Sequence, residues 1–138
     1  MHRIVIIPFL FLFALNQPSC NPDSAVTDQK DAELALLMRK MFDETLEVKK
    51  SIVQGDTTVE IPRFEDIHTA IPTDPDVHEE GFYAFADAYL WAVDALDVAD
   101  TAHAEHFNAV VDQCMHCHTE YCPGPKVRIK KLYIPEGR

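Results

Sequence analysis

Five consecutive residues, Cys114-Met115-His116-Cys117-His118, constrain this chain more than any other stretch. They spell C-x-x-C-H, the attachment signature of a c-type haem. Thiols three positions apart on a helix lie on one face, where both can form thioethers to the edge of one porphyrin. The imidazole directly after the second Cys then reaches the iron as proximal ligand. The same residues also admit a redox C-x-x-C, or a zinc site that recruits Cys122.

The remainder of the chain suits one small helical domain. Its 138 residues, less a leader, leave about 115 for a single core, which a covalent cofactor would enlarge. Only four glycines, and no alternating apolar run closed by a hairpin turn, argue against an all-β fold. A formal charge of −11 argues against nucleic acid and against an anionic membrane surface as partners. The charge is uneven: from Lys126 onward there are five basic residues and one acid, Glu136, a local +4.

The first residues read as an export signal. Met1-His2-Arg3 is a basic start, and Ile4 to Leu15 is a twelve-residue apolar run, short for a membrane span but suited to a signal peptide. Ser19-Cys20 follows and resembles a bacterial lipobox, with Gln17 where Leu is usual. On that reading residues 1–19 are a signal peptide and Cys20 is lipid-modified. Residues 20–28 form a polar tether, 29–125 the folded domain and 126–138 a basic extension. A secreted protein cut nearby is the alternative. Either way the chain is exported, periplasmic or anchored on the periplasmic side, where c-type haem is attached.

Apolar periodicity predicts an all-α fold. Leu34, Met38, Met41, Thr45, Val48 and Ile52 recur at spacings of three and four, defining a first helix from Asp31 to Gln54 that Gly55 stops. Phe64, Ile67, His68 and Ile71 suggest a short second helix ended by Pro72. A third opens at Asp74-Pro75 and runs to about Val98 through Phe82, Phe85, Tyr89 and Val93. That aromatic stripe is expected to be core rather than cofactor pocket. A fourth helix starts near Asp100 or Thr101, with Phe107, Val110, Val111, Cys114, Cys117, His118 and Tyr121 on one face. Pro123-Gly124-Pro125 ends it. The tail alternates apolar and basic residues and should strap the helices through Val127, Ile129, Leu132 and Ile134. The expected architecture is an antiparallel four-helix bundle with the haem motif late in its last helix.

Phe107-x-x-Val110-x-x-x-Cys114-x-x-Cys117-His118-x-x-Tyr121 is similar, position for position, to the last helix of the cytochrome c-prime family, periplasmic four-helix bundles with covalent haem near the C-terminus. The likeness is close over these residues and only architectural elsewhere. It implies a sixth coordination site facing the first helix, left vacant by a Leu or filled by a Met in low-spin relatives. Met38 matches that distal position, with Met41 on the same seam as second choice. The chain departs from the family at Cys122, where an Arg usually follows the Tyr, and at Leu34, where an Arg often precedes the distal residue by one turn. It also adds the basic tail, a candidate source of the cation that the missing arginines would offer the haem propionates.

The expectation is therefore an electron carrier and not an enzyme, with one covalent haem c held by Cys114, Cys117, His118 and Met38. Its partners would be redox proteins presenting a basic face, and a homodimer is compatible with this. A five-coordinate gas-binding haem protein is the alternative. A haem-free zinc or disulfide module using Cys114, Cys117, Cys122 and one histidine is a third. Cys122 is expected as a buried thiol and His116 as solvated. His68, His78, His103 and His106 read as surface or cap residues.

Overall fold

A computed structural model describes residues 31–135. The leader, the whole tether with Cys20, and the last three residues lie outside them. The described residues are all-α: α1 (Glu33–Gln54), α2 (Glu80–Asp97), α3 (His103–Glu120) and a short α4 (Lys126–Ile129), with 3-10 turns at Glu65–His68, Pro75–Val77 and Lys130–Leu132. None of these helices is long and apolar enough to cross a membrane.

The α1 seam falls where periodicity places it. Leu34, Met41 and Thr45 are buried, and Met38, Val48 and Ile52 are half-buried beside them. Gly55 ends the helix in the left-handed region, φ 92°, with its N–H donating to the Ile52 carbonyl (3.0 Å). At the other end the Leu34 N–H donates to the Ile71 carbonyl, pinning the helix start to the following connection.

The expected second helix is a single 3-10 turn, Glu65–His68. Phe64, Ile67 and Ala70 are buried while Ile71 is 61% exposed. An inward spacing of three is the period of a 3-10 turn, and Pro62 and Pro72 bound the segment on either side. This segment still fills the space between α1 and α2. Val59 and Ile61 are buried, Lys40 of α1 sits over the Phe64 ring, and Arg63 and His68 pair with Asp94 and Asp87 of α2.

The third helix also starts later than expected. Asp74 does cap, accepting from the Asp76 N–H (3.0 Å), but the turn it starts ends at Val77. Glu79 is extended, and α2 begins at Glu80. Gly81 is a weak helix former in the first turn, yet it has a steric role: a Cβ there would lie 2.5 Å from the Tyr121 hydroxyl. From Phe82 the stripe continues as expected, with Phe82, Ala86, Tyr89, Val93 and Leu96 buried and Trp91 71% exposed. The α3 start is likewise delayed to His103, after Ala102 in a left-handed conformation (φ 56°).

The tail straps the helices as a short helix and a 3-10 turn. Ile129, Leu132 and Ile134 point down, whereas Val127 is 74% exposed. Asn108 on α3 clasps Ile134 through both its amide atoms, accepting from its N–H and donating to its carbonyl (both 2.9 Å). Lys49 on α1 donates to the Lys131 and Tyr133 carbonyls (2.7 and 2.9 Å). The Tyr133 hydroxyl donates to Asp112. Side chains of two helices thus satisfy the tail's backbone, so it is part of the fold.

Candidate functional site

The inward face of α3 opens, over its last two turns, onto a cavity of about 690 Å³. Cys114, Cys117 and His118 line it together, as their spacing requires. The helix ends at Glu120, and Pro123 forbids its continuation. The chain therefore turns, and the Cys122 carbonyl accepts a hydrogen bond from His118 Nδ1 (2.8 Å). A carbonyl can only accept, so Nδ1 carries the proton. Neutral His118 then keeps its lone pair on Nε2, the form a metal-ligating imidazole takes when its other nitrogen is held by the backbone.

The facing wall is the α1 seam: Leu34, Met38, Met41 and Thr45. Met41 is buried at 6% exposure and Met38 is half-buried, and both border the same space as His118. The α2 stripe contributes Phe82, Phe85 and Tyr89, so these aromatics are core and cavity wall at once, against the expectation of core alone. The tail closes the remaining side with Arg128, Ile129 and Leu132. Nothing in the sequence marked Tyr89 for the site, because an apolar period cannot tell packed core from cavity lining, whereas Arg128 belongs to the basic tail already named as a candidate cation source.

Most of this wall is apolar, and the thiols respond to it. Burial pushes the Cys114 thiol up to about 12, with the neighbouring Cys117 adding to the effect. Burial and then Cys122 push Cys117 to about 11. Both are free thiols, protonated at neutral pH. Tyr121 donates to Glu79 (2.8 Å) and packs edge-on against Phe82 and Phe85, which anchors the end of α3 to the start of α2. That bond, followed by burial, pushes its phenol up to about 12.

Two cations also border the cavity. Arg39 pairs with Asp31, and Arg128 lies over the Phe42 ring (4.0 Å) with Asp43 at 3.3 Å. Both guanidinium side chains remain about half exposed, which places positive charge at the margin of an apolar space.

This donor set matches the needs of a c-type haem. It offers two thiols on one helix face, an imidazole with a free Nε2, thioethers on the facing helix and flat aromatic walls. The volume lies within the ~300–1,000 Å³ of small-molecule and cofactor sites. The zinc arrangement is not assembled: among the described residues no three His, Cys, Asp or Glu side chains converge on one point. Cys122, expected to be buried, is exposed, although it borders the cavity and its carbonyl accepts from His118. His116 is exposed as expected. His78 is a cap residue, closing the Pro75–Val77 turn, and its ring is half-buried against Phe82 and Tyr83. Compared with known proteins, the chain matches no family model, no curated protein and no solved structure.

Proposed function

We propose that this chain is an exported c-type cytochrome that transfers electrons through one covalent haem, bound by Cys114 and Cys117 and ligated by His118 and Met38. The observation that carries the reading is convergence: motif thiols, imidazole and both candidate methionines, far apart in sequence, line one apolar cavity. The resemblance to the cytochrome c-prime family supports it. In that reading the long helices form an antiparallel bundle in which the 57–77 segment stands where the family has its second helix.

A haem held here supplies a one-electron Fe(III)/Fe(II) couple. The protein's part is to hold it rigidly and tune it. The Cys122 carbonyl orients His118 and raises its basicity as a ligand. Met38 would hold the iron through a soft, neutral thioether, which would favour the reduced state and keep small ligands away. Apolar walls from α1 and α2 exclude water, and Arg39 and Arg128 offset the negative charge of the propionates. The chain then acts as a carrier, not an enzyme. Its acidic body steers it toward redox partners with a basic face.

Optical spectra of protein made with haem-maturation machinery test this reading. Sharp reduced bands of low-spin iron, and haem staining that travels with the denatured chain, are the expected result. Broad high-spin bands would favour the gas-binding alternative, and the lack of a Soret band would sink both.

The Ser19-Cys20 pair motivates a further expectation, that Cys20 carries a lipid anchor on the periplasmic side. Diacylation plus an N-terminal acyl chain exceeds the two signals that stable attachment needs. Cys20→Ser should move haem-bearing protein from the membrane to the soluble fraction. Wild-type protein found wholly soluble would refute the anchor.

A further inference from the structure

Several polar groups on the cavity wall already have partners. The Thr45 hydroxyl donates to the Met41 carbonyl (2.7 Å), Tyr121 donates to Glu79, and Arg128 pairs with Asp43. The Tyr89 hydroxyl does not. Tyr89 is 3% exposed and lines the cavity, and its phenolic oxygen has no hydrogen-bond partner. A buried hydroxyl without a partner costs stability that a phenylalanine at the same place would not. Burial also raises the phenol well above its ordinary range, so the group remains a proton donor throughout the physiological range.

We propose that Tyr89 is a positioning residue for the occupant of this cavity, its hydroxyl donating a hydrogen bond to a carboxylate oxygen on the cofactor's edge. The inference rests on the haem reading above and adds the polar contact that orients the group. The choice of acceptor follows from chemistry. In a haem joined through two thioethers, the four pyrrole nitrogens are committed to iron and the vinyl carbons to Cys114 and Cys117. The propionate oxygens are then the strong acceptors left on the ring. Arg39 and Arg128 border the same cavity and supply positive charge for those carboxylates. A hydroxyl donating to a carboxylate forms one of the stronger hydrogen bonds, which accounts for a tyrosine at a position where the α2 stripe otherwise calls for an apolar residue.

Tyr89→Phe in the haem-loaded protein tests this, since it removes one oxygen and keeps the ring. The variant should retain covalent haem at the wild-type level and keep the same axial-ligand bands. Its propionate bending band in the resonance Raman spectrum should shift. Its melting temperature should fall by about 4–8 °C, the effect of one hydrogen bond of ordinary strength in a domain of about 100 residues. Wild-type protein moved into D2O should show a shift of the same band, a readout that holds even where the variant folds poorly. An unmoved propionate band in both experiments overturns the proposal. So does a change confined to the axial-ligand bands, which would direct the hydroxyl to the iron's ligands rather than to the carboxylates. Wild-type protein without covalent haem would overturn the haem reading itself, and the Tyr89 assignment with it.

Discussion

Protein carrying both Cys114→Ala and Cys117→Ala should lose covalent haem and, with it, its cooperative thermal transition. The first half follows from chemistry, because each thioether needs its own sulfur. The second follows from the volume of the site. Space left in an apolar interior costs ~24 cal/mol per Å³, so a cavity of about 690 Å³, unfilled, rivals the whole stability of an ordinary domain, about 5–15 kcal/mol. Water entering the mouth reduces that cost, but apolar walls give it few hydrogen-bond partners. Haem-free protein is therefore expected to keep helical circular dichroism while losing its sharp calorimetric peak, as loosely packed states do. Haem that stays with the variant through acid-organic extraction would disprove thioether attachment at these residues. A haem-free variant melting as sharply as wild type would show that the helices do not depend on the cofactor.

Met38→Ala should abolish the methionine-to-iron charge-transfer band near the red end of the spectrum and open the iron to carbon monoxide. Both methionines border the same cavity as His118, so the pair of variants decides which one would reach the metal. Met41→Ala should leave the band intact and cost packing alone, about 2–4 kcal/mol for a buried side chain at 6% exposure. The opposite result would move the ligand to Met41 and leave electron transfer in place. Wild-type protein that lacks the band and binds carbon monoxide readily would remove both methionines from the iron and make gas binding the better reading.

The parts of this fold that could be read from sequence are those governed by local rules. A left-handed stop needs a glycine, and Gly55 ends α1 at the expected residue. Helical spacing puts Cys114, Cys117 and His118 on one face whatever surrounds them. The α1 seam was legible for the same reason. What could not be read depended on partners distant in the chain. Phe64, Ile67 and Ala70 pack at a spacing of three between α1 and α2, and that spacing alone fits a helix or a 3-10 turn. The tail's alternation placed Val127 inward with Ile129, Leu132 and Ile134, but Asn108, Asp112 and Lys49 hold a helical strap in which Val127 is exposed. Tyr89 shares the apolar register of Ala86 and Val93. Only its orphaned hydroxyl sets it apart, and that is a property of three-dimensional surroundings. His118 illustrates a middle case: its place in the motif was plain, whereas the backbone carbonyl that fixes its tautomer comes from a turn created by Pro123.

The strap formed by residues 126–134 also sets an order of events. It follows the haem motif in the chain, and Arg128, Ile129 and Leu132 wall the cavity into which Cys114 and Cys117 face. Once Asn108 and Lys49 have clasped it, a porphyrin-sized reactant has lost one side of its approach to the thiols. On the proposed haem reading, attachment would therefore come early, on a chain still open at this edge, and docking of the strap would come last. Maturation on this account is a race between chemistry and closure, and a chain that closes too soon is trapped without its cofactor.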